Sequence, residues 1–371
     1  MVTNIVKLLT FVDEAVYWFL KIHWCLKEGY NKQMNEYYQG KRVLLVGGTG
    51  TVGTAILKKL LNYDLKALRV FSRDEHKQFN LQSDYSDKRL RFLLGDVRDY
   101  ERVLRASEDI DIIFNLAALK HVPACEYNPY EAVKTNVLGT QNVIQAAVAQ
   151  NVERVVLTSS DKAVSPTNAM GATKLLAERL ISSATFSQGS SKTMFCAVRF
   201  GNIMGSRGSV IPLFKKQILN DRRITLTDPN MTRFMMTCDE AAELTMQAAF
   251  NACFGEVFVL KMPVVRMADL ADVVIRDVCT KHSLSPDKIS IDTIGLRPGE
   301  KKYEELMTVE ESEFAFDIGK MYLISPQRYY EKYLEMRDSY VQAPRKVYSS
   351  ETDATLTKDE IRKILCTQQL I

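Results

Sequence analysis

From Lys41 onward the apolar residues gather in short β-rich runs at 43–46, 67–71, 90–94, 110–116, 152–158 and 194–200. Between them lie segments whose apolar residues recur at helical spacing, such as 54–61 and 132–149. Strands alternating with helices at this rhythm predict an α/β fold, a doubly wound parallel sheet of Rossmann type with right-handed crossovers. Ligands of such a sheet sit beyond the carboxyl ends of its strands.

Both flanks read differently. In residues 1–39, Thr3, Lys7, Thr10, Glu14 and Lys21 form a narrow polar stripe, while Leu8, Phe11, Val12, Trp18, Phe19 and Trp24 belong to a wide apolar face. Such an amphipathic helix packs on its own chain or a sister subunit, or lies in a membrane surface as a peripheral contact. Past Gly205 the rhythm breaks, with Pro212, Pro229, Pro263 and Pro298 marking loops. The expected division is therefore a helical extension at 1–39, a dinucleotide-binding domain at 40–204, a mainly substrate-binding lobe at 205–345, and a tail at 346–371. In that tail Thr357 caps a short helix at 358–365, with Glu360 three residues on.

Composition narrows the classes. The 371 residues carry 49 Lys+Arg against 45 Asp+Glu, a net charge of +4, with no basic block, which disfavours nucleic acid as a partner. Seven scattered cysteines without a CxxC pair suggest neither a metal site nor a disulfide framework and fit a reducing cytoplasm. Charged residues interrupt every long apolar stretch, so neither a secretion signal nor a spanning helix is expected.

The chemistry begins after the first strand, at Gly47-Gly48-Thr49-Gly50-Thr51-Val52-Gly53. Glycines at 47, 50 and 53 permit a tight turn, a close backbone approach to pyrophosphate, and helix-on-strand packing, so the loop predicts a dinucleotide site. The second strand ends in Ser72-Arg73-Asp74. An NAD enzyme would place a carboxylate there directly, whereas Ser72 and Arg73 suit the 2′-phosphate of NADP; Asp74, one residue late, keeps NAD open. Asp96 and Val97 after the third strand suit the adenine, and the small Ala117 and Ala118 after the fourth let the chain run beside the cofactor. At the end of the fifth strand stand Ser159-Ser160-Asp161-Lys162, followed by Met170-Gly171-Ala172-Thr173-Lys174 at a helix start. A hydroxyl, a carboxylate and two amines there can move protons beside a hydride carrier.

These motifs, together with SRDEHKQ, NLAALKHVPACEYNP, TNVLGTQNV, VRFGNIMGSRGSVIP, LTDPNMTRF and LRPGEKKYEEL, resemble the extended short-chain dehydrogenase/reductase superfamily. The likeness, from about Lys41 to Leu306, is specifically to its UDP-N-acetylglucosamine 4,6-dehydratases of polysaccharide biosynthesis. The superfamily pattern Tyr-x-x-x-Lys stands here as Met170-x-x-x-Lys174, and a thioether cannot take a hydroxyl proton. A branch of these dehydratases is similar in carrying Met at that place.

The resemblance implies oxidation of a UDP-sugar at carbon 4, loss of water across carbons 5 and 6, and hydride return to carbon 6. It implies Asp161 as the acid for the 6-hydroxyl and Lys162, with a lowered pKa, as the base at carbon 5. Lys174 holds the nicotinamide ribose and Ser160 the 4-oxygen; the proton that tyrosine would take goes to Asp161, the favoured group, to Lys162, or to a water relayed toward Lys174. The cofactor set implied is Gly47, Thr49, Gly50, Thr51, Val52, Gly53, Ser72, Arg73, Lys77, Asp96, Val97, Ala117, Ala118 and Lys174. Substrate contacts map onto Lys120, His121, Asn202, Ser209, Val210, Pro212, Phe214, Thr232, Arg233, Arg297 and Glu300. A homo-oligomer is the expected assembly. The rival readings are a UDP-HexNAc 4- or 5-epimerase and a non-catalytic NADP-binding sensor or scaffold.

Overall fold

The computed structural model describes residues 30–206, 208–335 and 340–371. Most of the amphipathic N-terminal segment, 1–29, therefore lies outside the described residues. Its end is the helix Tyr30–Tyr38, which buries Met34, Tyr37 and Tyr38 against the main core.

Six runs form parallel strands: β1 Arg42–Val46, β2 Ala67–Ser72, β3 Leu90–Leu94, β4 Ile112–Asn115, β5 Arg154–Ser160 and β6 Met194–Phe200. Their spatial order is β3-β2-β1-β4-β5-β6, so the chain winds outward from β1 in both directions. β1 and β4 carry almost unbroken apolar runs because helices cover both faces of the sheet. Each Leu or Val removed from water there contributes about 1.5–3 kcal/mol. Asp74 and Asp99 start the next helices by accepting from the backbone N–H groups of Lys77 and Arg102, at 3.0 and 3.1 Å.

The structure corrects the expected boundary at 204. Among the described residues the sheet continues past β6 through a parallel strand, Val257–Leu260, and antiparallel strands Met321–Ile324, Ala315–Asp317 and Val341–Gln342, ten in all. The helix Cys238–Asn251 covers that sheet and packs on Thr51–Leu60. An exposed β6 edge would leave a row of unpaired backbone groups, and the later chain supplies the missing partners.

What remains forms the lobe. Helices Val210–Asp221, Met267–Lys281 and Lys358–Thr367 meet over Ile211, Phe214, Ile218, Val274, Ile361 and Leu365. The expected tail is thus part of the lobe: Tyr348–Ser349 pairs with Glu305–Met307, and Thr357 with Glu360 forms a reciprocal cap on the last helix. No helix among the described residues is long and apolar enough to cross a membrane.

Candidate active site

A cleft of about 880 Å³ runs along the carboxyl ends of β1, β2, β4 and β5 and on to the 200–209 segment. It is lined by every residue expected to hold the dinucleotide, from Gly47 to Lys174. Gly47 has φ +80°, and a Cβ there would come within 2.7 Å of the Ala117 amide nitrogen. A Cβ on Gly53 would meet the Gly48 carbonyl at 2.6 Å. Strand, loop and helix are therefore drawn together as only glycine allows. The helix opens at Thr51, three residues earlier than its apolar periodicity indicates, because its first turn is small and polar. Gly50 caps it without a side-chain bond, leaving first-turn N–H groups aimed at the cleft. Thr135 and Ser159 add buried hydroxyls on the cleft wall that have no hydrogen-bond partner among the described residues. A glycine cradle with open N–H groups and orphaned hydroxyls fits a dinucleotide.

At the ribose end, Gln78 donates to the Ser72 hydroxyl at 3.0 Å, which leaves that hydroxyl free to donate. Arg73 is half exposed and touches Asp96 at 3.4 Å. Asp74 is occupied by its helix cap and by an ion pair with Lys77.

At the other end, β5 delivers Ser160 and then a single 3₁₀ turn, Asp161–Ala163. Ser160 donates to Asp161, which is almost wholly buried. The Lys162 ammonium lies 3.1 Å from Asp161 Oδ1 and 3.0 Å from Oε1 of Glu304. Glu304 also accepts from Asn202 Nδ2 at 2.9 Å and pairs with Arg233 Nε at 3.3 Å. Gly171 presses on this turn so closely that a side chain would run into the Lys162 carbonyl.

The protonation states follow from these contacts. Burial alone would raise the Asp161 pKa, but the Lys162 charge and hydrogen bonds with Glu304, Ser160 and Lys162 outweigh it and hold the carboxyl low. Burial and the neighbouring Asp161 anion push Glu304 up to about 7 against the pull of Lys162 and Arg233. Burial would lower Lys162, yet two carboxylates raise it above its ordinary value. The expectation of a depressed Lys162 is therefore corrected: a lysine gripped by two anions rests as an ammonium. Lys174 is the depressed amine. It donates to the Thr158 carbonyl at 2.8 Å, and burial, opposed only in part by Glu178, lowers it to about 8.

Met170 is buried with Cys125 and Ala132, and its side chain borders the cleft. Of the expected substrate contacts, Lys120, His121, Asn202 and Ser209 line the cleft, with His121 beneath Gly208. Three others are not among the residues that line the cleft. Phe214 fills the lobe's core, Pro212 is exposed on the same helix away from the cleft, and Arg233 is spent internally. Its guanidinium donates to the carbonyls of Thr232, Lys301 and Lys302. Val210 starts that helix, Thr232 meets Ser350, and Arg297 and Glu300 share an outer turn in which Glu300 accepts from the Arg297 amide. Glu304 is the residue that sequence reasoning missed. Its partner Lys162 is 142 positions away, and only its place in the GEKKYEEL run marked the segment.

With this geometry in hand, a family described as polysaccharide biosynthesis protein matches residues 43–326. The chain belongs to that family. A relative within reach is the Bacillus thuringiensis protein Pen, whose crystal structure is 50% identical and superposes with a TM-score of 0.85. That match covers 90% of this chain and 99% of Pen. A Methanocaldococcus jannaschii protein described as an uncharacterized membrane protein is 45% identical over 90% of this chain and 98% of its own length. A Rickettsia bellii UDP-glucose 4-epimerase is 38% identical over 88% of this chain and 95% of its own. A more distant structure, the Streptomyces venezuelae dTDP-glucose 4,6-dehydratase with NAD and TYD bound, is 22% identical with a TM-score of 0.62, covering 70% of this chain and 86% of that one. It shows that this chain shares the fold of that enzyme.

Proposed function

We propose that the chain is an NADP-dependent nucleotide-sugar 4,6-dehydratase acting on UDP-GlcNAc for surface-glycan synthesis. The observation that carries this reading is the cluster at the end of β5 in which Lys162 lines the same cleft as Lys174 and is held from behind by the buried Asp161 and Glu304. Epimerisation at carbon 4 asks only for removal and return of hydride and one proton. Loss of a hydroxyl asks in addition for a base at carbon 5 and an acid at the leaving oxygen. A carboxyl group and an amine side by side can supply both.

A bound nicotinamide dinucleotide would supply the hydride acceptor for carbon 4 and return that hydride to carbon 6. Ser160 holds the 4-oxygen, and Asp161 takes the proton of the 4-hydroxyl in place of the absent tyrosine. Lys162 removes the carbon 5 proton, acidified by the 4-ketone, and Asp161 protonates the departing 6-hydroxyl. Lys174 holds the nicotinamide ribose.

The name of the Rickettsia relative supports the second reading, a UDP-sugar 4-epimerase. One incubation in D₂O separates them by NMR. A 6-methyl signal with deuterium at carbon 5 is the dehydratase result, and a carbon 4 epimer without deuterium overturns it.

Ser72, Arg73 and Lys77 favour the 2′-phosphate, since Asp74 is engaged elsewhere. Arg73→Ala is expected to weaken NADP⁺ about tenfold, roughly one charge-assisted contact at a half-exposed site, and to leave NAD⁺ unchanged. Isothermal titration with both cofactors measures this, and equal losses would remove Arg73 from 2′-phosphate recognition.

A further inference from the structure

The dehydratase reading needs Lys162 as a base, yet the cluster holds it as an ammonium. Lys162 is half-buried at the cleft wall with its ammonium held between two carboxylates, and these are the acceptors already in hydrogen-bond contact with it. Asp161 must already carry a proton for the leaving hydroxyl, which leaves one acceptor. We propose that Glu304, 3.0 Å from Lys162 Nζ, is the residue that takes the ammonium proton and so makes Lys162 a base. It acts through Lys162 and is a positioning residue in that sense. The inference rests on the dehydratase reading and deepens it.

The protons balance. Above a pH of about 7 Asp161 and Glu304 rest as carboxylates and Lys162 as an ammonium. As carbon 4 becomes a ketone, the 4-hydroxyl proton passes to Asp161 and neutralises it. Lys162 then loses one of its two anionic partners, and its proton crosses to Glu304: the N–H bond breaks with its electron pair left on nitrogen, and an O–H bond forms. The amine takes the carbon 5 proton, whose bonding pair becomes the carbon 5–carbon 6 double bond. The carbon 6–oxygen bond breaks, and the oxygen leaves as water with the Asp161 proton. When hydride returns to carbon 6, Lys162 gives its proton back to carbon 5 and recovers the one held by Glu304. Every group ends as it began.

The surroundings of Glu304 suit an acceptor near neutrality. The charged groups facing it are Asp161 and Lys162 from the turn after β5 and Arg233 from the strand Thr232–Met236. Asn202 donates to its second oxygen, and its backbone N–H is tied to Ser350 Oγ at 2.9 Å, so the carboxyl is held in place. Burial, helped by the Asp161 anion, outweighs the two cations and lifts it to about 7.

The test uses the full chain with NADP⁺ and UDP-GlcNAc in D₂O. Glu304→Gln keeps the size and the Asn202 contact but cannot accept a proton. Substrate-dependent reduction of bound cofactor should survive in it, while carbon 5 exchange and 6-methyl product fall about 10²–10⁴-fold. Glu304→Asp should recover part of the loss. Product formation by Glu304→Gln within a few-fold of wild type overturns the proposal.

Two wild-type measurements do not depend on that variant folding. Carbon 5 exchange should rise with pH through about 7, because Glu304 must begin as the carboxylate. In ¹³C-glutamate-labelled protein one side chain should titrate in that range, and its absence overturns the proposal. Wild type that reduces cofactor but never yields a 6-methyl product would instead sink the dehydratase reading, and the inference with it.

Discussion

Lys162→Ala is expected to abolish dehydration while NADP⁺ still binds. The Lys162 amine lines the cleft wall in contact with Asp161, and losing a positioned acid or base costs about 10²–10⁴-fold in rate. The glycine cradle and the Ser72 end of the cleft do not touch it, so NADP⁺ affinity should stay within a few-fold of wild type. Removing the cation also leaves Asp161 and Glu304 facing each other with Arg233, on the Glu304 side, as the remaining counter-charge among the described residues. One of them then holds a proton at neutral pH, which blocks the remaining carboxylate from serving as an acid–base pair. NMR of the product and calorimetric titration of NADP⁺ measure the two sides. Normal turnover in the variant would remove Lys162 from the mechanism.

Arg199→Met is expected to cost stability first and activity second. Arg199 is wholly buried on β6 and grips Glu178 through two bonds, at 3.1 and 2.7 Å. It also holds Glu311 at 2.8 and 3.0 Å and the Leu306 carbonyl at 2.9 Å. A methionine of similar length strands two carboxylates in the interior, a penalty of about 3–5 kcal/mol. These same bonds tie the helix that carries Met170 and Lys174 to the segment that follows Glu304. The site should therefore loosen as the melting temperature falls.

The pH sign of that loss is set by Glu311. Burial would raise its carboxyl, but Arg199 outweighs burial and holds it below the ordinary glutamate value. Such a group stabilises the fold above its unfolded pKa and loses that contribution as pH falls through its lower folded value. Wild type and variant should thus differ most at neutral pH and converge in acid. Thermal unfolding followed at both pH values checks this, and a pH-independent gap would assign the loss to packing.

How much of this was written in the chain depends on the range of the interactions. The six parallel strands, the glycine loop, the cap at Thr357 and the grouping of Ser160, Asp161, Lys162 and Lys174 were legible in the sequence. Periodicity, backbone sterics and capping act over a few residues, so they leave local marks, and a doubly wound sheet then gathers its strand ends automatically. What only the tertiary structure decided lies at long separation. The extension of the sheet by Val257–Leu260, the diversion of Arg233 and Phe214 into the interior, and the placing of Glu304 on Lys162 follow from which edge needed covering and which carbonyls needed donors. The protonation of Lys162 belongs there too. Sequence spacing names an amine beside a carboxylate, but its charge is set by a second carboxylate that folding brings from 142 residues away, in a setting where burial makes every nearby charge count.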